Sequence, residues 1–274
     1  IILQEVLAGE SEESPSSPVT TSRPNVGVWA GLLLAGIVIA GTGVWFLKPS
    51  PEPELRKLEL GLAKEARLDA EKAGLAISPD GTRIAYVDQD RLWIRHLDRI
   101  LPVEIPDTEK VSLPTWSPDG EWLAFAIGDV IWKVTGDGGQ PIRVGRAPSQ
   151  MGAAGGLAWL DDGRIYMTPG NEGLFAIPAA GGNSESVAEV DRTVEQDYHD
   201  AAALPDGRGV VYVIHRLDDG ISALGVWDGV KSRQITHFPG EVVKNPAWSA
   251  TGHLLYSLGD EETAIWAIAF DLDR

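Results

Sequence analysis

Cysteine is absent from the 274-residue sequence. That excludes disulfides, thiolate metal sites and a cysteine nucleophile. It leaves the compartment open, because a closed β-domain of this size has enough core to stand without cross-links. Positive charge is scarce: 23 Lys and Arg stand against 40 Asp and Glu, a net charge of −17. So negative a surface repels phosphate backbones, and no nucleic-acid partner is expected. The simplest role of the excess is to keep the domain soluble. Catalytic signatures are missing too. There is no Walker loop, no Gly-rich phosphate loop, no HExxH, no GxSxG elbow and no DFG. His215-Arg216-Leu217-Asp218 is superficially like an HRD catalytic loop, but it follows the strand-like run Val210–Ile214 inside a repeat and lacks the downstream Asn. No catalytic residue, cofactor-binding residue or metal ligand is assigned, and no cofactor is expected.

Long hydrophobic runs are confined to one place. Val26 to Leu47 is 22 residues without a charge, and about 20 apolar residues span the hydrocarbon core of a bilayer. Trp29 and Trp45 lie near its two ends, where indole rings favour the headgroup level, and Arg23 and Lys48 flank it. A single transmembrane helix over 26–47 is expected. A signal peptide fits less well, since a polar segment of 25 residues precedes the run. Charge fixes the orientation poorly: Arg23 stands on one side against Lys48, Arg56 and Lys57 on the other, a weak bias toward the inverted topology. Gly27 and Gly31, and Gly36 and Ala40, set small residues one turn apart. Such faces let helices pair, which would give a homodimer through this helix; plain tolerance of glycine in membrane helices is the simpler reading.

The flanks are linkers. Residues 1–10, IILQEVLAGE, have helical spacing of apolar positions, and residues 11–25 are rich in Ser, Thr, Pro and Glu, a composition that cannot bury a core. Residues 1–25 therefore read as the end of a preceding domain plus a flexible linker, and 48–54 as a stiff Pro-containing spacer. The chain does not begin with Met, and Ile265–Arg274 reads as a strand and its exit, so a piece of a longer protein is expected.

From Leu55 onward a repeat governs. The segments 74–87, 114–126, 156–168, 201–213 and 246–257 share a short apolar strand, a Pro-Asp-Gly-type turn and an alternating strand. Their turn glycines, Gly81, Gly120, Gly163, Gly207 and Gly252, are spaced 39, 43, 44 and 45 apart. Pro presets φ, Asp bonds its own backbone and Gly takes φ > 0. A third strand closes each unit, at Leu92–Arg95, Ile131–Val134, Leu174–Ile177, Leu224–Trp227 and Ile265–Ile268, and a fourth is visible at Gln140–Val144 and Ser232–Thr236. Four short strands in about 43 residues make one blade of a β-propeller. The expected fold over 55–274 is all-β: a propeller of four-stranded blades, five repeats of it present and about six to eight in an intact domain. Leu55–Leu60 is a candidate strand for completing a blade. Trp116, Trp159 and Trp248 precede their turn glycines by four residues, and Tyr86, Phe125 and Tyr212 follow theirs by five, a register that fits packing between blades better than a ligand cage.

Few polar residues remain to carry specificity. The five histidines, His96, His199, His215, His237 and His253, lack metal-ligand spacing and read as surface or loop residues. Asp197-Tyr198-His199-Asp200 gathers titratable groups before a blade; a polar loop is the plain reading, a metal or proton-sensing site the sharper one. Asp218-Asp219 and Asp260-Glu261-Glu262 read as solvated hairpin tips. The run Asp197–Asp200 and the hairpin Arg216–Ile221 are the features that the repeat does not explain.

The repeats resemble TolB-like propeller repeats, through Ser78-Pro79-Asp80-Gly81 and Ser117-Pro118-Asp119-Gly120 and, in part, Asp161-Asp162-Gly163 and Pro205-Asp206-Gly207; Ala250-Thr251-Gly252 keeps only the glycine. The order of parts is similar to bacterial receptor-type serine/threonine protein kinases. IILQEVLAGE looks like the last helix of the kinase domain, and Thr251–Tyr256 and Ala269–Arg274 look like the propellers of that family. The resemblance implies a cell-membrane protein with residues 1–25 in the cytoplasm and 48–274 in the periplasm, a propeller that binds a protein or small molecule, and catalysis in a domain before Ile1. A winged-helix transcription regulator or a prolyl-oligopeptidase-type peptidase would share the propeller. TolB itself has no retained membrane helix.

Overall fold

The computed structural model describes residues 74–152, 154–259 and 264–271. The expected membrane helix over 26–47, the linkers at 1–25 and 48–54, the strand at Leu55–Leu60 and the acidic tip at 260–262 lie outside them. Among the described residues no helix is long and apolar enough to cross a membrane.

Five antiparallel sheets follow one another along the chain, one per repeat. Blade 1 is β1 (Leu75–Ile77), β2 (Arg83–Asp88), β3 (Arg91–His96) and β4 (Val103–Glu104); blade 2 is β5 (Val111–Trp116), β6 (Trp122–Ile127), β7 (Val130–Thr135) and β8 (Ile142–Arg146). Blade 3 is β9 (Gly156–Trp159), β10 (Arg164–Thr168), β11 (Leu174–Pro178) and β12 (Glu185–Ala188); blade 4 is β13 (Glu195–Ala203), β14 (Val210–Arg216), β15 (Gly220–Trp227) and β16 (Ser232–His237). Blade 5 has three described strands, β17 (Val243–Ser249), β18 (His253–Leu258) and β19 (Ala264–Ala269). Neighbours in sequence are neighbours in the sheet throughout. The short outer strands β4 and β12 complete the expected four-stranded blades but carry no sequence pattern that locates them.

The Ser-Pro-Asp-Gly turn is a hydrogen-bonded lock. In blade 1 the Ser78 hydroxyl donates to Asp80 Oδ1 at 2.5 Å and accepts from the Arg83 amide at 2.9 Å, while Asp80 also accepts from the Thr82 amide at 3.0 Å. Blade 2 repeats this: Ser117 Oγ donates to Asp119 Oδ1 at 2.5 Å, and the Trp122 and Glu121 amides donate to Ser117 Oγ and Asp119 Oδ1 at 2.9 Å each. Gly81 and Gly120 close the turns at φ of 67° and 70°, a region costly to a residue with a Cβ. These bonds hold the Asp80 carboxyl well below the usual carboxylate range, and that of Asp119 below it as well, the serine hydroxyl contributing most in both.

The aromatic register builds the contacts between blades, as expected. Trp116 and Phe125 join Leu92, Ile94 and Ile105 in a core shared by blades 1 and 2, and Trp116 Nε1 donates to the Ala76 carbonyl across that boundary at 3.1 Å. Trp159 lies in the core between blades 2 and 3. Tyr166, Tyr198, Tyr212 and Trp227 fill the core between blades 3 and 4, with the Tyr198 and Tyr212 rings 4.5 Å apart. Burying each such ring contributes about 2–3 kcal/mol. The innermost strands meet so closely that a Cβ on Gly156 would lie 1.9 Å from the Ala201 amide nitrogen.

Candidate functional site: the channel and the His-Asp cluster of blade 4

Counted back seven residues from the turn glycine, the five blades place Gly74, Leu113, Gly156, Asp200 and Asn245 at one level of their innermost segments. In three blades the ladder slips there, with bulges between Ser112 and Thr115, His199 and Ala202, and Lys244 and Ala247. The residues inside the bulges, Leu113, Asp200 and Asn245, have φ of 56°, 48° and 52°. Non-glycine residues held at positive φ inside a strand are a built feature that re-aims a segment. Here the bulges turn the chain toward a central cavity of about 230 Å³, whose wall includes Leu113, Pro114, Gly156, Asp200, Asn245 and Pro246. The cavity is lined mainly by apolar side chains and backbone, and among the described residues Asp200 supplies its one carboxylate. Burial raises the Asp200 carboxyl above its ordinary value, against the opposing bond that its Oδ2 accepts from the Asn245 amide at 3.0 Å.

Next to Asp200 the strand carries a polar cluster. β13 pairs Asp197 with His215 of β14 and His199 with Val213. The period of two puts the side chains of Asp197, His199 and His215 on one face, opposite Tyr198. His199 Nε2 comes within 2.7 Å of Asp197 Oδ1, His215 Nδ1 within 3.0 Å of the same oxygen, and the two ring nitrogens lie 3.5 Å apart. His199 Nδ1 faces the Ala154 carbonyl at 3.1 Å. Asp197 and His199 are buried, while the His215 side chain is 23% exposed.

These findings correct several expectations. Asp197–Asp200 is not a loop but the middle of β13, extended because blade 4 has longer strands than its neighbours. β14 runs on to Arg216, past the expected end at Ile214. All five histidines stand in strands, and His96 and His199 are buried rather than superficial. Histidine has no strong helix, strand or loop preference, so an isolated one gives little warning of burial. Burial depresses the basicity of His96, whose Nε2 lies 3.6 Å from Asp137. At the β14–β15 hairpin, Asp218 is solvated and forks to Arg216 at 3.0 and 3.1 Å. Asp219 instead fastens the hairpin, accepting from the Gly240 amide at 3.0 Å and meeting His237 Nε2 at 2.8 Å. Sequence reasoning found Asp197, His199 and Asp200 as a run. It did not join His215 to them, which only the cross-strand register does.

Five successive antiparallel blades around a central cavity define a β-propeller. No protein-family model and no curated protein matches the sequence. Solved structures match in fold. A structure described as TolB from Agrobacterium tumefaciens aligns at 16% identity with a TM-score of 0.57, covering 72% of this chain and 76% of that one. A chain of a mitotic checkpoint complex aligns at 13% identity and a TM-score of 0.56, over 79% of this chain and 70% of that one. A chain of a nidogen/laminin complex aligns at 14% and 0.53, over 68% and 73%. The fold is therefore a TolB-like β-propeller, and at such identities the likeness is one of fold alone.

Proposed function

We propose that the chain is a non-catalytic binding propeller on the extracytoplasmic side of a single-span membrane protein, a receptor-type serine/threonine protein kinase. The observation that carries the reading is the joining of two features in one chain: an uncharged 22-residue run at 26–47 and, after it, a propeller with a recessed central cavity. The resemblance of residues 1–10 to the end of a kinase domain supplies the parent, and that of the repeats to TolB-like propellers supports the periplasmic side. At about 230 Å³ the cavity is smaller than the roughly 300–1,000 Å³ of drug-sized sites, so it suits a small molecule or one inserted side chain of a protein partner. Occupation of the propeller would bias how membrane helices pair through the small-residue face at Gly27 and Gly31, and with them the kinase domains.

The test is reconstitution of the full-length protein in vesicles, with and without residues 55–274. Autophosphorylation that changes on deletion supports the sensing role. Unchanged output overturns it, and the absence of a kinase domain from the complete reading frame overturns the parent.

A further inference from the structure

Blades 2 and 5 do without a polar cluster at the place where blade 4 has one. Blade 2 pairs Val111 with Ile127 and Ser112 with Ala126, as blade 4 pairs Tyr198 with Ile214 and His199 with Val213. By that register Lys110, Ser112 and Gly128 stand where blade 4 has Asp197, His199 and His215. In blade 5 the same places hold Val242, Lys244 and Gly259. The blade fold thus asks for none of the three residues. Among the described residues this is the one group of three His, Cys, Asp or Glu side chains whose ligand atoms, all within 4.8 Å of one another, could hold a metal ion.

Counting donors exposes a deficit. The Ala154 carbonyl can only accept, so the bond at 3.1 Å fixes a proton on His199 Nδ1. A neutral His199 ring then turns the lone pair of Nε2 toward a carboxylate oxygen 2.7 Å away. Two acceptors in contact, in a place where both residues are buried, require a proton or a cation between them. His215 does not supply it, since one Nδ1 proton satisfies one lone pair of Asp197 and leaves His199 facing the same oxygen. Either a further proton lies between His199 Nε2 and the Asp197 carboxyl or a cation sits among the three ligand atoms.

We propose that the cluster is a divalent-cation site of the zinc class, with His199 Nε2, His215 Nδ1 and an Asp197 carboxylate oxygen as its ligands. Bonds of about 2.0–2.1 Å in a tetrahedral site set ligand atoms roughly 3.3 Å apart. The separations here are 2.7, 3.0 and 3.5 Å, so shifts of a few tenths of an ångström suffice. Two imidazoles and one carboxylate suit zinc and its borderline neighbours, whereas calcium and magnesium take oxygen ligands. The Ala154 carbonyl orients His199 from the outer shell, as metal-bound histidines require. Three protein ligands leave a fourth position, and the partly exposed His215 puts it on the solvent side, where water or an anionic group of a ligand can enter. The ion ties β13 to β14 one residue from Asp200 of the channel wall. The site is independent of the kinase reading.

The experiment uses the full 274-residue chain in detergent, titrated with Zn²⁺ against a chromophoric chelator and with Co²⁺ by visible absorption. One equivalent with tetrahedral cobalt bands is expected. Affinity should fall at least about tenfold in H215Q and H199Q and stay unchanged in H253Q, on β18. H215Q replaces the least buried ligand, and its circular dichroism checks that the fold survives. Absence of a bound equivalent in the wild type would mean that a proton shared by His199 and Asp197 fills the place, and would overturn the proposal. An equivalent retained at full affinity in folded H215Q would also overturn it.

Discussion

Blades 2 and 4 share a topology and differ in what holds them. Blade 2 is closed at its turn by a buried serine that bonds Asp119 and the Trp122 amide. At the same place blade 4 has Leu204, also buried, and its turn is a short 3-10 segment, Pro205–Gly207, with Asp206 at φ 54°. At the opposite end the order reverses. Blade 2 finishes on a tight turn at Gly128, while blade 4 extends by several residues into a hairpin fastened through Asp219 and lined by Asp197, His199 and His215. The repeat fixes the middle of each blade, where strands pack on neighbours. Its ends are free to diverge, and blade 4 carries polar residues at the end where blades 2 and 5 have glycine at the place of His215.

The comparison breaks most visibly in the shared middle. Phe125 and Tyr212 occupy one register position, and both are fully buried. Phe125→Ala should cost about 3–5 kcal/mol, and Tyr212→Ala a similar amount, read from urea unfolding by tryptophan fluorescence. A loss below about 1 kcal/mol in either would show that the blade in question does not share the common core. Gly156→Ala comes next, at about 3 kcal/mol, because the added Cβ meets backbone, which cannot move aside as a flexible side chain would. The same change at Gly252, where nothing lies within 4 Å of the new atom, should cost about 1 kcal/mol, from the φ of 78° alone.

The turn lock gives a smaller, blade-specific effect. Ser117→Ala orphans the Trp122 amide and deprives Asp119 of its closest donor, so about 1–3 kcal/mol should be lost. Leu204→Ser should not stabilise blade 4, since the 3-10 segment leaves Asp206 out of the position that Asp119 holds. If Leu204→Ser raised the unfolding midpoint, the two turns would be interchangeable and the contrast would fail.

What the sequence disclosed follows the same division. Turn glycines at constant spacing and aromatics in register announce blades because one physical need, packing each sheet on the next, recurs five times. β4 and β12 stayed hidden, being too short to show a period of two. The His-Asp cluster stayed hidden for a different reason. Asp197 and His215 lie 18 residues apart and meet only through the register of β13 with β14. That register was open at the sequence level, where β14 was read as ending at Ile214, one residue short of the ligand. The bulges at Leu113, Asp200 and Asn245 have no shared residue type and no common signal.

The last contrast is in pH. The turn aspartates of blades 1 and 2 are held below their ordinary range, so the unfolded chain binds protons that the folded chain refuses. Their contribution is present above about pH 4 and is lost as pH falls below it. Blade 4 behaves in the opposite sense. Burial pushes the Tyr212 hydroxyl up to about 12, and that of Tyr198, which bonds Glu195 at 2.8 Å, is raised as well. Both stay protonated when folded at a pH where the unfolded chain has lost the proton, so their contribution is full below about pH 10 and lost as pH rises toward the folded value. For Tyr212 the loss should reach about 1 kcal/mol by pH 11. Tyr212→Phe removes the bond to Ser232 at 2.8 Å, about 1 kcal/mol at pH 7. It also removes the titration, so wild type and variant should converge in stability near pH 11. Asp119→Asn should flatten the acid limb and leave the alkaline one unchanged. A Tyr212→Phe curve that runs parallel to wild type from pH 7 to 11 would place the alkaline sensitivity elsewhere than in Tyr212, with Tyr198 of the same core the next to test.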